Sequence, residues 1–572
     1  MEALSAGIPN LRISLKQCCC NDSDATPCEK PGSFACKSCL MVAYCSKPCQ
    51  KAHWEAHRKD CKSPFMNHSW EPRWVTENRT PYFIDGPPHT PFGTPKYLWG
   101  NVPAVDVVQL GRNEGVDFQG PLRLLFAASG DMRNAVFSAV SLPPSYRGPL
   151  DITINDREID IVARNLIFLL VFFLEENPAA CNQFLHERVK PLVAAVCRKI
   201  ALKPGTDLFG KTWQFAASSL RLVLTRDGWF SLLRYFDVPR GLTKDIAQRV
   251  RQKVMSATER VDYVDIFLCT MSSPSSRLGM MKFRGDGILL PFGQSRAAFT
   301  NPNPTLFLSP DEWPMMDNAD PTAGWPMKSF LEFDAGPATN DVHGKLHFYL
   351  RDLFGSLHCR IRSSPVTFEL LRVDAIALPI SLAGKQFDRI DVGNICDTDY
   401  LGIETTLATF RPLLQPLSVN PHAALITLFL DAIAEMQLLD ATHPRFNAPF
   451  IDNPSQRLRK VLQYMPELGR QNSHENRVKL VCALSLSHDM DKFFNWYMKE
   501  HGFGELAANT GLQIKSTHTI VDAWLWRMPS DARPTPRARK DFALLLSSAL
   551  SGQERFVEWK LAPKVPIEDV DV

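Results

Sequence analysis

Nine of the fifteen cysteines fall between Cys18 and Cys61, and the other six stand singly along the rest of the chain. So short a stretch cannot hold itself together by apolar burial, so this density of sulfur requires a cross-link or a metal. Where thiols stay reduced, clustered cysteines point to metal and isolated ones to small buried hydrophobes. The cluster reads Cys28, Cys36-x2-Cys39, Cys45-x3-Cys49 and His57-x3-Cys61, with Cys18, Cys19 and Cys20 ahead of it. Zinc takes thiolate and imidazole ligands tetrahedrally, and close pairs let one turn supply two of the four. From Cys49 to Asp60 there is no Gly or Pro. His57 and Cys61, four apart, therefore face one side of a short helix. These residues suffice for two four-ligand sites, and a structural zinc contributes about 10–16 kcal/mol of apparent binding free energy, so metal decides whether the segment folds. With all positions closed by protein ligands, both ions are expected to be structural and not catalytic.

The stretch from Cys28 to Cys61 resembles the MYND zinc fingers in more than its ligands: Tyr44 precedes Cys45, Gln50 follows Cys49, and Trp54 precedes the His57-x3-Cys61 ending. The resemblance implies interleaved sites, with Cys28, Cys45, Cys49 and one earlier cysteine on one zinc, and Cys36, Cys39, His57 and Cys61 on the other. The usual first pair would need a cysteine where Ala25 stands, and the insertion "NDSDAT" separates it. Cys20 is the expected first ligand on proximity, with Cys19 and Cys18 as alternatives. His53 is read as a helix-surface residue. The resemblance also implies recognition of short proline-containing peptides of other proteins.

The chain of 572 residues is 45% apolar and 22% charged, as soluble globular proteins are, and its formal net charge of +3 gives no argument for nucleic acid or membrane binding. The first residues, MEALSAGIPN, lack the basic and apolar regions of a secretory signal, so a cytoplasmic or nuclear location is expected. "NLIFLLVFFL" (165–174) is about half the roughly 20 residues a membrane span needs and is read as a buried helix.

The domains expected are a tail (1–17), the zinc finger (18–61), a Pro-rich linker (62–100) lying against something through Trp70, Trp74, Tyr97 and Trp99, an α/β domain (101–436) with a mostly helical insertion at 177–330, and a helical C-terminal region (437–572). In the α/β domain "LRLLFAASGD" reads as a strand ending in a glycine turn, "MRNAVFSAVSLP" as a helix, "LDITIND" as a strand, and "REIDIVARNLIFLLVFFLEEN" as a long helix. Strand, helix, strand, helix predicts a parallel, doubly wound sheet. In such folds the turn after the first strand cradles nucleotides and an acidic residue after the second holds a ribose. Gly130, Asp131 and Asp156 stand there as candidate cofactor-binding residues. Asp388, Asp391, Asn394 and Asp397, from "FDRIDVGNICD", would cluster near Gly130 if both strands join one sheet, with caps and turn formers as the other explanation.

This order resembles the first half of the class I methyltransferases that use S-adenosylmethionine, but Phe126 replaces their acidic residue and Ala128 and Met132 replace two glycines. Such side chains obstruct a bound methionine or adenosine, so S-adenosylmethionine binding is not expected. "WGNVPAVDVVQL", "LLFAASGDMRNAV", "INDREIDIVARNLIFLL" and "KLHFYLRDLF" resemble an uncharacterised domain that follows MYND fingers in fungal proteins, related to the N-terminal region of an axonemal dynein assembly factor. The expected protein is an adaptor whose finger binds other proteins, joined to a non-catalytic methyltransferase-like domain; the alternatives are a methyltransferase with an atypical cofactor turn and a MYND-type transcriptional regulator. "PLLQP" (412–416) fits a Pro-x-Leu-x-Pro pattern that MYND fingers bind, or it ends a buried helix.

Overall fold

The computed structural model describes residues 18, 19, 28, 30–85, 92–174, 185–203, 208–271, 273–442, 454–469, 473–488, 490–522 and 533–563. At the N-terminal end, β1 (Phe34–Ala35) pairs antiparallel with β2 (Ala43–Tyr44) and is followed by a helix, Lys47–Cys61. The Ser46 hydroxyl caps that helix by accepting the Cys49 N–H (3.4 Å), and Pro48 in the first turn fits the first-turn preference of proline.

The rest is built on one nine-stranded sheet. Its strands are β3 (Leu122–Phe126), β4 (Leu150–Asn155), β5 (Leu208–Phe215), β6 (Ser218–Thr225), β7 (Val366–Leu371), β8 (Arg389–Asp391), β9 (Ala424–Phe429), β10 (Leu512–Ile514) and β11 (Arg555–Leu561). They lie in the order β10-β11-β9-β8-β3-β4-β7-β6-β5. Strands β9, β8, β3, β4, β7 and β6 are parallel. β5 closes one edge against β6 and the β11–β10 pair closes the other, all antiparallel. From β3 the chain passes to β4, out to the edge hairpin β5–β6 and back inward to β7, then crosses to the other side of β3 with β8 and β9. The strand order, though not the strand direction, therefore reverses between β3 and β8.

Both faces are covered, which is why the central strands are apolar throughout instead of alternating. Leu124 and Phe126 of β3 pack with the helices Arg133–Ser141, Ile159–Leu174 and Val342–Ser363, while Leu125 and Ala127 face Ile403, Leu407, Phe410, Ile433 and Phe494 on the other side. The apolar run at 165–174 is thus core, with Phe168 its outward residue. Among the described residues no helix is long and apolar enough to cross a membrane.

Two regions hold strands that the helical expectation left out. The 177–330 segment contains helices, but also the β5–β6 hairpin, whose β6 buries Leu220, Leu222 and Leu224 on alternate positions. The C-terminal region returns to the sheet in β11, where Trp559 is fully buried and donates Nε1–H to the Thr427 hydroxyl of β9 (3.0 Å). The linker also does more than lie along a surface. Arg79 grips Asp262 with two bonds (both 2.7 Å), the Arg73 N–H donates to Asp265 (2.6 Å), and Trp74 is buried while Tyr97 is exposed.

Candidate metal centre and the glycine turn

Eight of the finger's thiol and imidazole groups converge in two sets, Cys18, Cys28, Cys45 and Cys49, and Cys36, Cys39, His57 and Cys61, with the ligand atoms of each set within 4.8 Å of one another. A tetrahedral zinc, with bonds of about 2.3 Å to sulfur and about 2.05 Å to nitrogen, needs sulfurs about 3.8 Å apart and about 3.6 Å between sulfur and nitrogen. In the first set Cys28 and Cys45 are 3.6 Å apart, Cys45 and Cys49 3.4 Å, and Cys28 and Cys49 4.0 Å. In the second, Cys36 and Cys61 are 3.9 Å apart and Cys39 Sγ lies 3.5 Å from His57 Nε2. The donors fit two zinc ions. Burial pushes the Cys39 and Cys61 thiols up, whereas the Ser46 hydroxyl, then the Cys49 thiol, lower Cys45 to about 7. Zinc binding must release the remaining thiol protons, so occupancy falls in acid.

Cys18 completes the first set; Cys20, the expected first ligand, lies outside the described residues. The segment runs beside β2, with the Cys19 N–H donating to Ala43 O (2.8 Å) and the Cys18 N–H to Lys30 O (3.0 Å). Cys18 turns to the ligand set, whereas Cys19 turns away against Gly293, its Sγ accepting the Ala43 N–H (3.4 Å). A Cβ at Gly293 would sit 2.3 Å from Cys19 Sγ, so only glycine fits there. His53 is not a plain surface residue either. Its Nδ1 is 2.9 Å from the buried Tyr44 hydroxyl and its ring lies parallel to that of His57, 5.9 Å away, buttressing a ligand.

One face of the finger is built into the body. The Cys39 carbonyl accepts from Ser275 Oγ (3.0 Å) and Asn340 Nδ2 (3.2 Å), the Asn340 N–H donates to Leu40 O (2.9 Å), and Met41 and Val42 are buried with Leu278 and Phe292. Fully burying side chains of this kind is worth about 1.5–3 kcal/mol each. Just beyond the finger, Arg277 donates to Phe65 O (3.2 Å) and Asn67 O (2.8 Å) and pairs with Glu475 (3.1 Å). Elsewhere on the finger Phe34 is 61% and Trp54 37% exposed.

At the end of β3 the structure brings Gly130, Asp131 and Asp156 together, but joined to the chain itself. Asp156 accepts from the N–H groups of Gly130 (3.0 Å) and Glu158 (2.8 Å); Asp131 accepts from Gly100 (2.9 Å) and Arg133 (3.1 Å). Burial raises Asp156, against which the amides of Glu158 and Gly130 act. The Arg133 guanidinium lies against Gly100 and Gly324, so that a Cβ on Gly100 would overlap it. Gly130 (φ +61°) and Ala128 (φ +48°) both take left-handed backbone there, a conformation costly for alanine. Of the acidic group from "FDRIDVGNICD", Asp391 reaches this end, accepting from Asn134 Nδ2 (2.8 Å) and the Gly393 N–H (3.1 Å). Asp388 sits at the opposite end of β8 with the Arg123 N–H (2.7 Å) and Asn420 (2.7 Å), and Asp397 accepts from the Leu430 N–H (3.0 Å). They act as turn and strand-end acceptors. "PLLQP" is a strap beside β8, with Leu413 and Leu414 buried and Leu413 O accepting the Phe387 N–H (2.8 Å).

Paired ligand sets of this spacing define a two-site zinc finger of the MYND type. A family model described as ZMYND11/ZMYD8, MYND zinc finger, matches residues 26–61, leaving Cys18 ahead of the match, and a domain of unknown function (DUF4470) matches residues 98–186. Tudor domain-containing protein 1 of Oryzias latipes is 43% identical over 51 residues, which are 9% of this chain and 4% of that protein. The likeness thus spans a small part of both. No solved structure matches the chain.

Proposed function

We propose that this protein is an adaptor working in the cytoplasm or nucleus, in which the two-zinc finger captures a partner protein and a methyltransferase-like, non-catalytic domain holds the finger in place. The observation that carries the reading is the donor chemistry: four protein ligands per set leave a tetrahedral ion no position for water or substrate. A finger without chemistry is useful as a surface, and its exposed Phe34 and Trp54 offer one. The MYND resemblance makes the ligand a proline-containing peptide of another protein.

The order β7-β4-β3-β8-β9 matches the 3-2-1-4-5 arrangement of doubly wound folds, which supports the methyltransferase-like reading of the sheet. Its lack of catalysis is supported by the turn, where Ala128 and Met132 stand in glycine positions and both Asp131 and Asp156 are engaged by backbone amides. The resemblance to an axonemal dynein assembly factor is consistent with assembly work.

The test is binding of a labelled Pro-x-Leu-x-Pro peptide to the full chain by fluorescence anisotropy, with and without a zinc chelator. Binding lost on chelation supports the proposal, and binding that survives complete metal removal overturns it. Titration with S-adenosylmethionine in a calorimeter addresses the second half: micromolar binding lost in an Asp156→Ala variant would promote the methyltransferase alternative, and no heat at millimolar ligand would end it.

A further inference from the structure

The geometry points to an acidic partner: we infer that the finger's helix Lys47–Cys61 receives a peptide segment bearing Asp or Glu side chains around an apolar anchor. The inference rests on the adaptor reading and says what kind of segment that finger takes.

Lys47, Lys51, Trp54 and Arg58 follow one another at intervals of four, three and four, so they lie in one stripe on one face of the helix. All four are exposed. The stripe is turned roughly half a revolution from Cys49, and therefore away from the first ligand set. Among the described residues its ion pair is Arg58 with Glu55 (3.3 Å), while Lys47 and Lys51 are in none.

Two facts separate this stripe from an ordinary solvated helix face. The first is its position: the first turn holds no acidic residue, and Lys47 stands beside the positive end of the helix dipole, where a cation costs rather than adds stability. Folding does not explain a lysine there, whereas an anionic ligand does. The second is Trp54, 37% exposed at the middle of the stripe, supplying an aromatic surface between cations. Between Cys28 and Lys62 there are seven Lys and Arg against three Asp and Glu, while the whole chain is at +3, so the excess of positive charge is concentrated on the finger. The zinc–thiolate sets are themselves anionic and partly exposed, but the first lies on the side of the helix away from the stripe, so a partner seated on the stripe meets the cations. Charge complementarity then selects an acidic segment and speeds its encounter.

The experiment compares two labelled peptides on the zinc-loaded full chain, one repeating Glu-Glu-Pro-Leu and the other Gln-Gln-Pro-Leu, by anisotropy. An exposed charge pair is worth about 0.2–1 kcal/mol, so three cations should favour the Glu peptide by about tenfold, and salt raised from about 0.05 to about 0.5 M should erase most of that preference. In the double variant Lys51→Glu, Arg58→Glu, with zinc content and Tm checked, the preference for the Glu peptide over the Gln peptide should vanish. Trp54→Ala should weaken both peptides. Equal binding of the two peptides, or binding of neither, overturns the inference; the adaptor reading falls only if the Pro-x-Leu-x-Pro peptide also fails to depend on zinc. A single-stranded oligonucleotide of equal charge binding more tightly than the Glu peptide also overturns it, because the stripe would then be a nucleic-acid surface.

Discussion

In the finger, eight side chains converge in two sets with the edge lengths of a tetrahedral ion, whereas at the turn after β3 the carboxylates of Asp131 and Asp156 are joined to the chain's own amides. The first arrangement has the chemistry of a cation site: three thiols 3.4–4.0 Å apart, with that of Cys18 within 4.8 Å, have little reason to gather otherwise. The second has its two carboxylates bonded to the chain's own amides, and Arg133 fills the space over Gly100, although Ser129 Oγ and two of the Arg133 nitrogens are buried there without a hydrogen-bond partner. Location in a fold therefore does not make a site. The turn occupies the place where doubly wound proteins bind ligands, yet the carboxylates of Asp131 and Asp156 are committed to backbone amides, while the finger holds, among the described residues, the two side-chain sets suited to a metal ion.

The sharpest way to break this contrast is to remove zinc. Because structural zinc supplies about 10–16 kcal/mol of apparent free energy, chelation should unfold the finger outright. The loop from Cys39 to Val42 is also anchored on Ser275, Leu278 and Asn340, so hydrogen exchange should rise in the helix Pro274–Asp286 as well. Amides of β3 and β4 should keep their protection. A helix at 274–286 that is indifferent to chelation would mean the finger is merely tethered. On the same preparation, Cys18→Ser should lower zinc content toward one ion per chain, and Cys20→Ser should leave it unchanged.

The ligands other than the first were legible because metal chemistry is written locally: Cys36-x2-Cys39, Cys45-x3-Cys49 and His57-x3-Cys61 each fit one turn. The choice of Cys18 was not, because three consecutive cysteines look alike until the seat of Cys19 against Gly293, far along the chain, separates its side chain from that of Cys18. His53 was read as surface because its bond to Tyr44 follows from the placing of β2 and not from helix period. The β3–helix–β4 unit could be read because apolar runs and a glycine turn are local signals. Strands β10 and β11 could not, since β11 is buried on both faces, shows no alternation, and pairs with β9 more than a hundred residues away. Asp388 and Asp391 are three apart in sequence but at opposite ends of β8, which only the register with β3 reveals.

A second, smaller test addresses the turn. If Asp156 is structural, Asp156→Ala leaves the N–H groups of Gly130 and Glu158 without their acceptor and should destabilise the chain by about 2–4 kcal/mol, read as a lower midpoint in urea. Zinc content should not change. If instead stability holds and binding of S-adenosylmethionine disappears, the two regions are alike after all, each a site awaiting its ligand.

The weakest expected effect lies at the end of β8 and tests whether the sheet's carboxylates have any role beyond structure. Asp397 is almost wholly buried, and that burial raises it to about 7, against the amide of Leu430. An acid whose folded value lies above its unfolded one is favoured in its neutral form by folding, so its charge opposes stability above pH 7. The opposition fades as pH falls from 7 toward about 4, the unfolded value. Asparagine keeps an oxygen for the Leu430 N–H and carries no charge. Asp397→Asn should therefore stabilise the protein by about 1–2 kcal/mol at pH 8 and by almost nothing at pH 4, measured as Tm across that range. A purely structural carboxylate behaves in this way. Destabilisation at pH 8 would mean instead that the ionised form is held there by a cation or a ligand, and the sheet would then have a binding site of its own to set beside the finger's.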